Sequence, residues 1–544
     1  MAFRLSFFAV LTVLVTGAAN AQFHDPRALA ADPGRAEEPI APKLDGLGDY
    51  HFKVSTRNKE SQYFFDQGLR LTYAFNHSEA LRAFKEAARL DPNNAMAYWG
   101  WALTLGPNIN LPMQREVKVQ AYLAMQKAKS RRDRVSARER AYINALAKRY
   151  SASPSEEQSK LDQAYADAMF RVSQLYPKDA DARTLHAAAL MNLSPWNYWS
   201  GDGTPYLNTG ILLGQLDAAL EIDPEHPGAL HYYIHAVEAQ RPYMAEEVAD
   251  RLDNLMPGAG HMVHMPSHIY MRVGRYSDAY RVNALATRAD EKYIAQCKAQ
   301  GIYPVGYYPH NQHFLVWSAW FLGRSDDAMQ AARKIQIRIP VILGVDGKNP
   351  TDIEADGWEV FEDFMNQPSY TMVRFGWWDK VLAEPKPPEQ ARFMNGIWHY
   401  ARGLAYAHKG KERRAEDELE ALQAIIAEPG MDTYPVSVNG ILPPLNIAAA
   451  VLAGEIAASE EDYATALLHL GRATRLQDGL FYMEPPNWYF PVRHVLGAVL
   501  LEAGYPDEAE TVYWADLREN PDNGFALFGL WKSYEARNMK DAAA

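Results

Sequence analysis

The chain has 544 residues and one cysteine, and its 67 acidic against 55 basic side chains give a formal net charge of −12. This acidic balance, without a stripe of Lys and Arg, argues against nucleic acid as a partner. Because Cys297 is the only cysteine, an intramolecular disulfide and a thiolate metal cluster are both excluded, and stability must come from a packed core.

The first 21 residues, MAFRLSFFAVLTVLVTGAANA, have the layout of a secretory signal peptide. One Arg precedes a short apolar run, and the small residues Ala19 and Ala21 predict cleavage after Ala21. The run is short for a membrane span, and we expect none in the later sequence. We therefore predict a periplasmic or secreted protein that has no membrane span after signal cleavage. Residues 22–56 follow as an irregular, Pro-rich N-terminal extension.

From residue 57 onward the pattern is helical. Apolar residues recur at spacings of three and four, and turns such as Asp91-Pro92-Asn93-Asn94 separate the periodic stretches. Small residues recur in the second stretch of each pair, as at Ala80 and Ala87. A helix pair of this kind buries its apolar face only by stacking on the next pair. The sequence therefore predicts an all-α protein built of helical hairpins.

Two segments at opposite ends of this region, FNHSEALRAFKEAARLDPNNAMAYWGWALTLG and NPDNGFALFGLWKSYEARN, resemble the tetratricopeptide repeat (TPR) family. Degenerate copies centre on turns such as GRYSDA, GRSDDA, SEEDYATA and GYPDEAE, so the resemblance covers most of residues 57–540. It implies an α-solenoid, a right-handed superhelix whose concave groove would take a peptide, protein or small-molecule ligand. The segments HMPSHIY and HYYIHAVE also resemble those of exported bacterial TPR proteins. The family is a scaffold with many uses, so the resemblance alone assigns no activity.

The repeats are interrupted once. Residues 57–335 and 363–544 carry TPR-like hairpins, and the first of these stretches contains most of the histidines. Residues 336–362, QIRIPVILGVDGKNPTDIEADGWEVFE, break the helical rhythm with Pro, Gly and acidic residues. We interpret them as an inserted loop, for which a functional segment and a plain connector are equally good explanations.

The histidines recur in a fixed register before the hairpin turns. His264 and His268 lie ten and six residues before Gly274, and His231 and His235 have the same offsets from a turn near Arg241. The same ten-residue offset places His313 before Gly323 and His494 before Gly504, and His261 and His310 each lie three residues ahead of such a histidine. In the TPR family these offsets fall on the first helix of a hairpin, on the side of the concave groove.

Helical geometry indicates that histidines in this register could bind a metal ion together. Spacings of three, four and seven place His231, His235 and Glu238 on one face of a helix. Imidazoles from neighbouring first helices can then converge on one metal ion at about 2.0–2.1 Å. The predicted metal ligands are His231, His235, His264, His268 and His313. Residues that hydrogen-bond to these ligands, or replace one of them, are His261, His310, His494 and Glu238. Without thiolates, this ligand set favours zinc, copper or iron.

Two classes of function fit these residues. A metal site with an open coordination position, and Glu238 as candidate general base, would be a metal-dependent hydrolase. Two ions shared among the histidines would instead suit a copper or iron oxidase, and the sequence leaves it undecided whether the protein is an enzyme. The alternative is a peptide- or protein-binding scaffold of the cell envelope without catalysis, in which Tyr232, Tyr270 and Trp317 contact an extended ligand.

Overall fold

A computed structural model describes residues 38–297, 303–342, 358–539 and 542. The predicted signal peptide with its cleavage site, residues 22–37 of the extension and residues 343–357 of the insertion lie outside the described residues. Within the described ranges the chain is all-α: no β-strand occurs, and two isolated bridges, Asn108 with Leu111 and Trp199 with Pro205, are the extended pairings. The predicted fold class, an all-α array of TPR-like helical hairpins, is confirmed.

The chain divides into two compact units, one formed by residues up to Ile269 with Val282–Tyr308, the other by Tyr270–Arg281 with Pro309 onward. The α-helices as far as Cys297 are α1 Lys59–Tyr73, α2 His77–Leu90, α3 Ala95–Thr104, α4 Lys118–Lys129, α5 Ala137–Leu146, α6 Gln158–Leu175, α7 Ala180–Leu193, α8 Leu207–Ile222, α9 Pro227–Val237, α10 Glu246–Leu252, α11 Gly260–His264, α12 Pro266–Arg272 and α13 Tyr276–Cys297.

The helices after residue 302 continue the same pattern of pairs. They are α14 Tyr308–Phe321, α15 Ser325–Ile342, α16 Glu362–Met365, α17 Gln367–Arg374, α18 Trp378–Ala383, α19 Arg392–Ala407, α20 Glu412–Ile426, α21 Leu442–Ser459, α22 Tyr463–Asp478, α23 Val492–Glu502, α24 Pro506–Glu519 and α25 Gly524–Ala536. A π-helical turn, Tyr303–Tyr307, precedes α14.

The first repeat shows how the sequence specifies a hairpin. Asn58, Asn76 and Asn94 precede α1, α2 and α3, and each side chain accepts a hydrogen bond from a backbone N–H of the helix that follows. Such caps satisfy N–H groups that a helix start otherwise leaves unpaired. Phe84 of α2 then fills the space between α1 and α3, where Gly68 and Gly100 have no room for a Cβ atom. Caps and small residues together fix both ends and the packing of the repeat.

The hairpin turns use a left-handed backbone. Five turn glycines take positive φ between 63° and 83°: Gly274, Gly323, Gly376, Gly410 and Gly504. Glycine adopts this conformation without the steric cost that a Cβ atom brings. Two other turns place a different residue there, Phe75 with φ 56° and Glu461 with φ 61°. Phe75 lies within the first unit, at the edge of the histidine cluster described below.

One described helix, α21, is long and apolar enough to cross a membrane by length and composition, which the sequence analysis did not expect. It pairs with α22, and Leu445, Ile447 and Leu452 are buried within the second unit. That burial is what a core helix of the repeat array requires.

Candidate metal centre

The predicted histidine ligands of the first unit, together with His261, lie on three helices, α9, α11 and α12. Helix α9 begins with Pro227 in its first turn, and the His226 ring accepts a hydrogen bond from the Ala229 N–H at 3.1 Å. His231 and His235 follow one turn apart on this helix, with ring centroids separated by 4.8 Å. Glu238 is the C-terminal cap of α9 and is 1% exposed.

Helix α11 carries His261 and His264, and α12 carries His268. Close packing positions α11, because a Cβ atom at Gly260 would collide with the Asp290 carboxylate. The backbone N–H of His261 donates to the Tyr303 hydroxyl at 3.2 Å, and that hydroxyl donates to Asp290 at 2.8 Å. His261 lies within α11, one residue after its start.

The structure brings five imidazoles together in the first unit, those of His231, His235, His261, His264 and His268. The nitrogens of His231, His235 and His261 lie within 4.8 Å of one another, and the Nε2 atoms of His231 and His261 are 3.2 Å apart. The Nε2 atoms of His264 and His268 are 2.9 Å apart. We name these five residues the histidine cluster. Its members are between 0 and 4% exposed, so the cluster is buried and does not line an open surface.

In three of these histidines an oxygen atom lies close to the second ring nitrogen, Nδ1. The Nδ1 of His231 lies 2.5 Å from the Tyr73 carbonyl oxygen, and the Nδ1 of His264 lies 2.7 Å from the Asn283 side-chain oxygen. The Nδ1 of His268 lies 3.2 Å from the Glu238 carboxylate. An imidazole whose Nδ1–H donates to such an oxygen carries its lone pair on Nε2. This is the tautomer that a metal ligand needs, held by the type of partner usual behind metal-bound histidines.

Glu238 lies behind two rings of the cluster. One of its oxygens is 3.4 Å from the Nδ1 of His235 as well as 3.2 Å from that of His268. A single buried carboxylate therefore lies within 3.4 Å of imidazole nitrogens on two different helices. The roles of general base or ligand that the sequence analysis gave Glu238 stay predictions.

Burial favours the neutral form of two of these imidazoles. Desolvation lowers the pKa of His231 to about 3, and it lowers the pKa of His264 to about 4. The Nε2 atoms of His264 and His268 lie 2.9 Å apart, and the tautomers determine whether one donates to the other or both offer a lone pair to a cation.

Two aromatic residues with unusual backbones enclose the cluster. The Phe75 ring lies 4.4 Å from His231, and it stacks on His235 and His261 at 5.8 Å each. The Trp196 ring meets His235 edge to face at 5.2 Å. Both residues have positive φ, 56° and 61°, which costs a residue other than Gly of the order of 1 kcal/mol. Backbone strain of this kind concentrates at functional sites.

The sequence analysis did not single out Phe75 as a site residue, although a signal was present. In YAFNHSEA, Phe75 stands where GRYSDA has the turn glycine Gly274. An aromatic residue at a left-handed turn position indicates that its ring is needed there. Trp196 lies in SPWNYW, which does not align with the turn glycine of another hairpin, so the local sequence gives no equivalent signal.

The remaining predicted site residues belong to the second unit. His310 packs its ring 5.0 Å from Phe314, and His313 packs its ring 5.6 Å from Phe364. Desolvation lowers the pKa of His313 to about 3. His494 lies 2.8 Å from the Asp516 carboxylate. The Nδ1 of His494 lies 3.5 Å from the Arg374 guanidinium, so its described polar partners are a carboxylate and an arginine.

The aromatic residues predicted to contact an extended ligand are also buried. Tyr232 and Trp317 are each 4% exposed, and Tyr270 is 0% exposed. Their rings are packed in the interior of their units, which removes them from the surface that such a ligand would contact.

These features define a class: an all-α protein of TPR-like helical hairpins whose first unit contains a buried histidine cluster. No family model matches the chain, and no curated protein matches it. Among solved structures the chain is similar to the TPR domain of P58(IPK), at 13% identity over 88% of this chain and 99% of that one, with a TM-score of 0.23.

Two further solved structures are similar at the same level. The Cut9–Hcn1 hetero-tetramer of the APC/C gives 14% identity over 90% of this chain and 79% of that one, with a TM-score of 0.31. Yeast Tom70 gives 10% identity over 89% of this chain and 90% of that one, with a TM-score of 0.26. At such identities and scores, neither ligand nor activity passes from these proteins to this chain.

Proposed function

We propose that the protein is a metalloprotein whose first unit binds a transition-metal ion through His231, His235 and His261. The observation that carries the proposal is the convergence of three buried imidazoles from α9 and α11, with nitrogens within 4.8 Å of one another. Zinc, copper and iron all accept imidazole nitrogen, and zinc is usually tetrahedral. Three protein ligands then leave one coordination position for water or substrate, as in catalytic zinc sites.

His264 and His268 extend the centre within the same unit. Their facing Nε2 atoms could hold a second ion, and Glu238 joins them to the first group because it contacts both His235 and His268. A second ion would favour oxidative copper or iron chemistry, and a single ion with an open position would favour hydrolysis. The number of ions therefore separates the two candidate reaction types.

The residues present fit a metal better than they fit a purely structural role. Buried polar side chains normally pair a donor with an acceptor. When the Nδ1 of His264 and of His268 each carries its proton toward the oxygen that it faces, the two Nε2 atoms are both acceptors at 2.9 Å. A metal ion supplies the missing positive charge. Glu238 would then act as a positioning residue that holds both rings in the binding tautomer.

Elemental analysis of the untagged full-length protein tests the proposal. The wild type should carry close to one or two equivalents of zinc, copper or iron. His235→Ala and His261→Ala remove ligands from different helices, so each should lower occupancy at least tenfold at limiting metal. His186, which is buried in α7 of the same unit, provides the matched control, and His186→Ala should leave occupancy unchanged.

The double variant shows whether one ion is shared. If α9 and α11 feed the same ion, the combined loss should be far smaller than the sum of the two single losses. Additive losses would indicate two separate sites. A wild type that stays metal-free after reconstitution would remove the metal proposal and leave the binding scaffold, which the TPR-like hairpins support by themselves.

A further inference from the structure

A small cavity in the first unit lies directly beside the histidine cluster. It holds about 40 Å³, room for two or three water molecules, and its walls come from α1, α2, α3, α6, α7 and α9 and from the segments after α1, α3 and α5. Phe75 and Tyr232 line this cavity, and both also contact His231, with ring centroids at 4.4 and 5.4 Å. One layer of aromatic side chains therefore separates the cavity from the cluster.

Four buried polar atoms of the lining residues have no hydrogen-bond partner among the residues that the structure describes. One of them, the Nε of Arg149, still lies 3.1 Å from the Asp162 carboxylate. The other three are the Nη2 of Arg149, the hydroxyl of Tyr165 and the side-chain oxygen of Asn192. Leaving such groups unsatisfied is costly, and native proteins normally avoid it. The Asn192 amide orientation follows from its N–H group, which donates to the Pro107 carbonyl at 3.2 Å. Its oxygen is therefore an acceptor for something else.

The charges around the cavity indicate which kind of ligand could satisfy these polar atoms. Arg149 forms an ion pair with Asp162, at 3.1 Å, and its guanidinium stacks on the Tyr165 ring at 4.0 Å. The guanidinium charge is thus already compensated, so an additional buried carboxylate would stand without a counter-charge. A neutral ligand that offers an acceptor to Arg149 and Tyr165 and a donor to Asn192 satisfies all three atoms.

We propose that this cavity is a binding site for a small neutral carboxamide. The carbonyl oxygen accepts from the Arg149 N–H and the Tyr165 hydroxyl, and the amide N–H donates to Asn192. A molecule with four non-hydrogen atoms, such as acetamide, matches the space available. Binding in this cavity does not require a metal, because Phe75 and Tyr232 stand between the cavity and the histidine cluster.

Saturation-transfer NMR titration of acetamide into metal-free full-length protein tests this site. We expect saturable binding at one site. Acetone, which lacks the donor, and acetate, which carries a charge, should each bind at least fivefold more weakly. Tyr165→Phe removes a hydroxyl that the described residues do not satisfy. It should weaken acetamide binding about five- to tenfold while leaving the melting temperature unchanged or higher.

The matched control is Tyr142→Phe. Tyr142 is equally buried in the first unit, but its hydroxyl donates to Asp179 at 2.9 Å, so its loss should lower the melting temperature and leave acetamide binding unchanged. Absence of saturable binding, equal weakening by both variants, or acetate binding as well as acetamide would each overturn the proposal. Because the titration uses metal-free protein, a failure of the metal proposal would not change these outcomes.

Discussion

His264 in the first unit and His494 in the second stand at the same position of a hairpin, ten residues before a turn glycine. Both are buried, but their partners differ. The Nε2 of His494 lies 2.8 Å from the Asp516 carboxylate, whereas the Nε2 of His264 lies 2.9 Å from that of another histidine. A buried imidazole with a carboxylate is a satisfied structural pair. The register thus brings a histidine to the interior, and its neighbours decide whether it can bind metal.

The same contrast extends to acidic groups, because Asp363 is buried in the second unit without an ion-pair partner among the described residues. Burial raises the pKa of Asp363 to about 7, and that of the adjacent Glu362 to about 7. Between roughly pH 4 and 7 the folded protein then holds protons that the unfolded chain releases, so stability falls as the pH rises through this window.

The titration of Asp363 gives the largest expected effect, a decrease of up to about 4 kcal/mol in the free energy of unfolding between pH 4 and pH 8. The lowered pKa values of His231, His264 and His313 act in the opposite direction, so the titration of Asp363 is measured as the difference between a variant and the wild type. Asp363→Asn keeps the shape and removes this titration, so from pH 5 to pH 8 its free energy of unfolding, measured by urea titration with tryptophan fluorescence, should rise by about 3 kcal/mol relative to the wild type. A difference that does not change with pH would mean that Asp363 is ionised in the folded state.

The next effect tests the structural reading of His494. His494→Ala leaves the buried Asp516 carboxylate with Asn520 and Asn523 as its hydrogen-bond donors among the described residues. Removing a hydrogen-bond donor of a buried carboxylate should lower the free energy of unfolding by about 2–3 kcal/mol. Elemental analysis of the same variant should show wild-type metal content. Loss of metal from this variant would break the comparison, because the two histidines would then share a role.

Glu238 tests the other half of the comparison. Glu238→Gln retains one acceptor oxygen but loses the charge that orients the rings of His235 and His268. Loss of such a partner typically lowers metal affinity about 10- to 100-fold. Competition titration with a chromophoric chelator measures this change. Glu139→Gln alters another buried carboxylate of the first unit, which caps α5, and it should leave the affinity unchanged.

Much of the architecture was predictable because it is local. Spacings of three and four residues and the turn motifs identified the hairpins, and the glycines at Gly274, Gly323 and Gly504 have the left-handed backbone that a turn requires. The register of His231 and His235 likewise follows from one helix. These features depend on residues close together in sequence, where the geometry of a helix determines which side chains share a face.

The contacts that complete the cluster were not predictable in this way. The Tyr73 carbonyl behind His231 lies 158 positions away in the chain, and Asn283 behind His264 belongs to a later helix. Glu238 lies near His235 in sequence, but its contact with His268 depends on how α9 packs against the following hairpin. Burial of the cluster is also a tertiary property. The sequence pattern predicts which side chains share a helix face, whereas long-range packing determines which residues those side chains contact.

The smallest effect concerns the two turns that use a residue other than glycine. Glu461 is exposed and has φ 61°, so its side chain gains no packing that would offset the left-handed backbone. Glu461→Gly should therefore raise the free energy of unfolding by about 0.5–1 kcal/mol, measured by urea titration. At Phe75 the same strain accompanies a ring that is 4% exposed and packs on three imidazoles.

Phe75→Gly should consequently lower stability, because the lost burial of an aromatic ring, about 3 kcal/mol or more, exceeds the strain that is relieved. The informative result is that substitution by Gly at these two equivalent turn positions changes the free energy of unfolding in opposite directions. If Phe75→Gly also stabilised the protein, the ring would contribute nothing to the cluster, and the left-handed backbone at residue 75 would require another explanation. Opposite signs would show that the first turn keeps an unfavourable backbone because its side chain encloses the histidines.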